Sequence, residues 1–304
     1  MHPQAVASLA RVAGSQPGTL AAVRAWLDAT AAAECGPGPD LALVHDLAVG
    51  GVRCRQYHPE PARLLPVVVY LHGGGWVAGS VETVDAVCRW LAVRSGCAVL
   101  SVDYRLAPEH PWPAAVQDVD AVLDGIGREG AAAGLEAARV AVAGDSAGGT
   151  LAAVAARRSR AASRALAYQV LVCPAIDAAM DTPSYVEHAV GMGLDAAEMA
   201  EAWATYVPYP AHRQDPDAVP GSAADLAGLP PALVLTAGYD VLRDGGEAYA
   251  DRLAAAGVPT TLVRYPGMVH GFFRKLALFD AARVAADQVA VTLRAALRGC
   301  FDDR

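Results

Sequence analysis

Arg139-Val140-Ala141-Val142-Ala143-Gly144-Asp145-Ser146-Ala147-Gly148-Gly149-Thr150-Leu151-Ala152-Ala153-Val154 is the stretch whose reading decides the architecture. Its opening run of small and β-branched residues is the pattern of a strand covered on both faces, as in a parallel sheet. After Gly148 the composition turns alanine-rich, and Arg157 and Arg158 lie near the far end, where a helix dipole favours cations. Ser146 therefore stands on a sharp turn between a strand and a helix. Gly144 and Gly148 leave room for the two elements to approach, and the helix N-terminus aims free N–H groups at the same point. A serine held in this way suits attack on an acyl carbon, with the N–H of Ala147 as first donor to the oxyanion that forms.

A second buried-strand pattern, Leu65-Pro66-Val67-Val68-Val69-Tyr70-Leu71, runs directly into His72-Gly73-Gly74-Gly75-Trp76. Three successive glycines are costly in chain entropy, a cost that makes sense where the backbone must come close to a ligand. The N–H groups of Gly73, Gly74 and Gly75 would complete the cradle begun by Ala147. Serine also needs a base, and the base needs a carboxylate to orient it. With a strand–serine–helix turn the chain order is serine, acid, histidine. Of the histidines after Ser146, His188 and His212 lie in a proline-bearing stretch of weak periodicity, whereas His270 follows the strand-like 260–265 and the apparent turn 266–269. That is where an open sheet presents its site, beyond the carboxyl end of a strand, so His270 is the base. Asp240 follows the strand-like 231–238 and is the acid; Asp244 and Glu247 read as charges at the start of the next helix.

With these residues identified, the chain resembles the bacterial hormone-sensitive-lipase family of α/β-hydrolases. The likeness lies in His72-Gly73-Gly74-Gly75-Trp76, in Asp103-Tyr104-Arg105-Leu106-Ala107-Pro108-Glu109-His110-Pro111-Trp112-Pro113, in Gly144 to Gly149, in Ala237-Gly238-Tyr239-Asp240-Val241-Leu242-Arg243-Asp244 and in His270-Gly271-Phe272. It implies Ser146, Asp240 and His270 as catalytic triad, and backbone donors at Gly73, Gly74, Gly75 and Ala147. It also implies hydrolysis of short- to medium-chain carboxylic esters, small-molecule substrates, without metal or organic cofactor. Trp76, Asp145 and Phe272, inside the three site motifs, are candidates for contacting substrate. Gly245 departs from the family, where Glu is common, which removes a helix-start charge and leaves the chemistry untouched. Similar proteins often pair through the last strand and helix, so a homodimer is an expectation as well.

The 304 residues suit one α/β domain with insertions. Strand and helix patterns alternate at about 98–104, 112–127, 139–145, 147–161, 166–173, 231–238, 241–256, 260–265 and 274–298, which predicts a mostly parallel, eight-stranded sheet flanked by helices. Runs at 41–48 and 51–57 around Gly50-Gly51 read as an antiparallel hairpin at its edge. Two regions stand outside the alternation: 1–40, alanine-rich helix broken at Gly14 to Gly18, and 178–222, with Trp203, Tyr206, Tyr209 and several methionines. Together they are expected to form a small helical cap. A formal charge of −8 argues against a nucleic-acid surface. No run approaches 18 apolar residues and the start lacks a signal-peptide pattern, which predicts no membrane span and a cytoplasmic protein. The six cysteines, Cys300 among them, show no paired or zinc spacing.

Two other functions use the same residues or the same fold. A deacetylase of an O- or N-acetylated secondary metabolite would need the same triad. A non-catalytic small-molecule receptor would keep the fold with an inert serine, which the presence of Ser146, Asp240 and His270 together argues against.

Overall fold

Eight strands form one sheet in the computed structural model, which describes residues 1–12 and 18–298. They are β1 Leu43–Val49, β2 Val52–His58, β3 Leu65–Leu71, β4 Ala98–Val102, β5 Leu135–Asp145, β6 Tyr168–Val172, β7 Ala232–Tyr239 and β8 Thr260–Val269. Their spatial order is β1-β2-β4-β3-β5-β6-β7-β8. β1 and β2 pair antiparallel and β2 meets β4 antiparallel, while every pairing from β4 through β3 to β8 is parallel. The expected edge hairpin at Gly50-Gly51 is present, and the rest is a parallel sheet.

The helices are α1 Pro3–Val12, α2 Leu20–Cys35, α3 Asp85–Ser95, α4 Ala114–Glu129, α5 Ala147–Ala161, α6 Pro183–Glu187, α7 Ala196–Tyr206, α8 Arg243–Ala255 and α9 Asp280–Arg298. Strand alternation sends neighbouring residues to opposite faces. Val67, Val69 and Leu71 join a core with Val119 of α4, Leu151 of α5 and Leu253 of α8. Val68 and Tyr70 join the other core, with Leu91 of α3 and Val289 of α9. Both faces of β3 are thus buried, as its continuous apolar run requires. α9 buries Ala282, Ala285, Ala286, Val289, Ala290, Leu293 and Leu297, the spacing of one helical stripe.

Two boundaries differ from the sequence reading in ways that matter for the site. β8 does not stop before Pro266 but continues to Val269, so the apparent turn is strand. β8 is the last strand of the sheet, an edge position where proline is tolerated, and the register against β7 shifts between Ala237 and Tyr239. The final helix starts at Asp280, an acidic first-turn residue, and Phe272–Arg274 is a separate single 3-10 turn. The expected break after α1 falls largely on residues 13–17, and Cys300 beyond α9; both lie outside the described residues. Residues 178–222 hold α6, α7 and two 3-10 turns, with an Asp195–Glu198 capping box starting α7.

Candidate active site

The turn at Ser146 is held from both sides. Ser146 has φ 56 and ψ −120, a backbone conformation that costs a side-chain-bearing residue about 1–3 kcal/mol. Its N–H donates to the Val172 carbonyl at 2.8 Å, tying the turn to β6, and Ala147 begins α5 immediately after. Gly148 lies so near the end of β3 that a Cβ there would collide with the carbonyls of Leu71 and His72. That approach brings the glycine loop that follows β3 alongside the serine.

β7 and β8 deliver the other two side chains from their carboxyl ends. His270 Nε2 is 3.0 Å from Ser146 Oγ, and His270 Nδ1 is 2.8 Å from Asp240 Oδ2. Asp240 is 1% exposed, and its Oδ1 accepts the Leu242 N–H at 2.9 Å. A buried carboxylate is tolerated when its lone pairs are used in this way. With Asp240 accepting from Nδ1–H, the opposite nitrogen is free to accept the serine proton. Cys173, one residue past β6, lies against the same carboxylate; burial first, and then the Asp240 charge, push its thiol well above the ordinary range. Sulfur, carboxylate and imidazole there lie within 4.8 Å of one another, a grouping that could ligate a metal, but its carboxylate and imidazole are already hydrogen-bonded to each other.

The glycine loop is fixed by a polar cluster behind it. Asp145 Oδ1 accepts the Tyr70 hydroxyl at 3.0 Å and the Gly73 N–H at 3.1 Å. Tyr104 stacks on His72, with ring centroids 4.3 Å apart, and its hydroxyl donates to the His72 carbonyl at 2.7 Å. Burial holds the His72 imidazole below its ordinary pKa, so it is neutral. The Gly73 N–H is thus engaged, which leaves Gly74, Gly75 and Ala147 as the backbone donors of the expected set without that commitment. Gly74 has φ +127, and a Cβ on it would meet the Ala78 carbonyl, so only glycine fits.

The remaining candidates sit behind the cavity wall. Trp76 is fully buried and stacks on Tyr206 with centroids 4.4 Å apart, also touching Trp203. Phe272 is fully buried against Tyr265. Asp145 is committed to the loop. None of the three lines the cavity that opens on Ser146 and His270, because each is drawn into the core or the loop's own support. Of the residues set aside, His188 lies 2.9 Å from an Arg243 nitrogen, Asp244 accepts from Ser184 and Arg243, and Glu247 pairs with Arg264.

The cavity itself is about 310 Å³ and, Val269 of β8 apart, draws its walls from regions outside the sheet. Val23, Trp26, Leu27 and Thr30 of α2 face it, together with Met199 and Ala202 of α7. The α2 residues recur at helical spacing, a signal readable in the sequence once a helix is assumed. α2 is pinned over the site by Arg24, which donates to the Val77 carbonyl at 2.7 Å and pairs with Glu109 at 2.8 Å.

Comparison with known proteins matches residues 68–274 to a family model described as the alpha/beta hydrolase fold. The esterase LipI of Mycobacterium tuberculosis is 41% identical over 270 residues, covering 86% of this chain and 84% of that protein. The carboxylesterase NlhH of the same organism is 43% identical over 248 residues, covering 80% and 78%. A solved Pyrobaculum calidifontis esterase superposes with a TM-score of 0.91 at 40% identity, covering 97% of this chain and 98% of that one. No helix among the described residues is long and apolar enough to cross a membrane. The chain belongs to the α/β-hydrolase family, and within it to the bacterial hormone-sensitive-lipase group of esterases.

Proposed function

We propose that this carboxylic ester hydrolase works through an acyl-enzyme on Ser146, with His270 as base and Asp240 as the group that orients it. The observation that carries the reading is the unbroken hydrogen-bonded line from Ser146 Oγ to His270 at 3.0 Å and from His270 to Asp240 at 2.8 Å. Ser146 Oγ attacks the ester carbonyl carbon as its proton passes to His270 Nε2, and the carbonyl oxygen becomes an oxyanion held by the N–H groups of Gly74, Gly75 and Ala147. The tetrahedral species collapses, the C–O bond to the alcohol breaks, and His270 returns the proton to the leaving oxygen. Water then gives a proton to His270 and attacks the acyl carbon, and Ser146 leaves with that proton as the acid is released.

Short- to medium-chain acyl esters fit the cavity. Its 310 Å³ is at the small end of ligand sites, and Trp26, Leu27 and Met199 give it apolar walls. Residues 1–40 and 178–222 act as the cap of a single domain spanning the chain, a reading that their contribution to those walls supports. A homodimer through β8 and α9 is supported by the exposed Leu262, Val284 and Val291 on those elements. Cytoplasmic residence is supported by the five buried free thiols among the described residues.

A series of p-nitrophenyl esters from acetate to laurate tests the reading. The expected result is a kcat/KM that peaks between acetate and hexanoate and falls by roughly 10³-fold or more in Ser146→Ala. Equal rates in the two proteins would end the assignment, and a peak at laurate would end the chain-length part of it.

A further inference from the structure

Among the described residues, the wall of the same cavity carries one cation with no ion-pair partner. Arg274 ends the 3-10 turn that follows His270 and lines the cavity with Ser146 and His270. Its neighbour Lys275 is neutralised by Glu34 at 3.0 Å. Glu198, the other carboxylate on the wall, accepts the Asp195 N–H at 2.8 Å in its capping box. Arg274 has neither arrangement: among the described residues no side chain pairs with its guanidinium, and its Nη1 is buried without an acceptor.

A guanidinium that lines a cavity and has no ion-pair partner among the described residues leaves donors for a bound ligand to engage. The group is always charged and presents a planar fork of donors whose geometry matches a carboxylate. We propose that Arg274 recognises an ionised carboxylate on the substrate, so that the enzyme accepts esters carrying a second, anionic carboxyl group. This rests on the catalytic reading above. The apolar wall from Trp26 and Leu27 holds the hydrocarbon between the scissile bond and that carboxylate.

Acid release followed by pH-stat in two matched substrate pairs tests the proposal. Monomethyl glutarate against methyl valerate places the carboxylate on the acyl side; 3-acetoxypropionate against propyl acetate places it on the alcohol side. The quantity read is the ratio of kcat/KM, anionic over neutral. In at least one pair Arg274→Gln should lower that ratio about tenfold or more, the usual weight of a hydrogen bond to a charged group, with Arg274→Lys intermediate. A ratio within about threefold of wild type in both pairs overturns the proposal, as does a wild type that hydrolyses neither anionic ester. Ser146→Ala separates the two readings. If it silences all four esters while Arg274→Gln leaves both ratios unchanged, the triad stands and the Arg274 assignment falls; if it leaves them hydrolysed, the catalytic reading falls first. Should Arg274→Gln not fold, inhibition of wild-type methyl valerate hydrolysis decides: glutarate should inhibit at least about tenfold more tightly than glutaramide, and equal inhibition overturns the proposal.

Discussion

Replacing Asp240 by Asn keeps the shape of the side chain and changes what His270 can do. Asp240 Oδ1 accepts the buried Leu242 N–H at 2.9 Å and Oδ2 faces His270 Nδ1 at 2.8 Å. An amide has one oxygen for these two places. If the oxygen stays with Leu242, the NH₂ group points at Nδ1, which must accept; the proton then sits on Nε2 and faces Ser146 Oγ, 3.0 Å away, where a base is needed. If the amide turns over, His270 keeps the useful tautomer, but two buried donors, the Leu242 N–H and the amide NH₂, face each other. At about 1–3 kcal/mol for each unsatisfied donor, that productive arrangement lies roughly 2–6 kcal/mol uphill. At 1.36 kcal/mol per tenfold, this lowers the rate by about 30-fold to about 3 × 10⁴-fold before the lost charge beside the imidazolium is counted. The expected fall in kcat for p-nitrophenyl butyrate is therefore about 10³–10⁴-fold, with KM little changed. Steady-state kinetics, with circular dichroism and Tm to verify the fold, check it. A correctly folded Asp240→Asn enzyme within tenfold of wild-type kcat would refute the reasoning.

Two further outcomes follow from the support around the serine. Gly148→Ala would force a Cβ onto the Leu71 and His72 carbonyls, so its urea midpoint should correspond to a loss of about 2 kcal/mol or more; an unchanged midpoint would contradict that packing. The fold should also weaken in acid through His72. Burial keeps its folded-state pKa below the ordinary value of about 6.5, so stability is full above that pH and falls as the unfolded chain takes up the proton on the way down to the depressed folded value. Asp46, held down to about 2 by Arg55 and then Arg53, adds a small loss between about pH 4 and pH 2, small because the pair is solvent-screened. Tm measured from pH 7 downward should therefore fall before the carboxylates titrate, and a flat Tm to pH 4.5 would argue against a buried neutral His72.

Ser146, Asp240 and His270 were legible because their placement depends on backbone requirements written locally: a strand, a tight turn with small neighbours, and a helix start, or the carboxyl end of a strand. The glycine loop was legible for the same reason, but the commitment of its first N–H was not. That required Asp145, 72 positions later in the chain, to turn back toward Gly73. Trp76 and Phe272 look like substrate contacts next to their motifs, yet their direction is set by Trp203, Tyr206 and Tyr265, which come from other elements. Pro266 and Gly267 read as a turn, and only the position of β8 at the sheet edge explains why a strand passes through them. The cavity was least accessible to sequence reasoning, since Trp26, Met199 and Arg274 meet there only through the packing of α2, α7 and the turn after His270.

Phosphorylation by a serine-directed probe reads the proposed nucleophile directly. After treatment with diethyl p-nitrophenyl phosphate, peptide mass spectrometry of the wild type should find one diethylphosphoryl group, on the peptide that contains Ser146, with esterase activity lost in proportion to labelling and Ser146→Ala left unlabelled. An inactivated wild type carrying the group on another residue, or an active esterase that the probe never modifies at Ser146, would contradict the account.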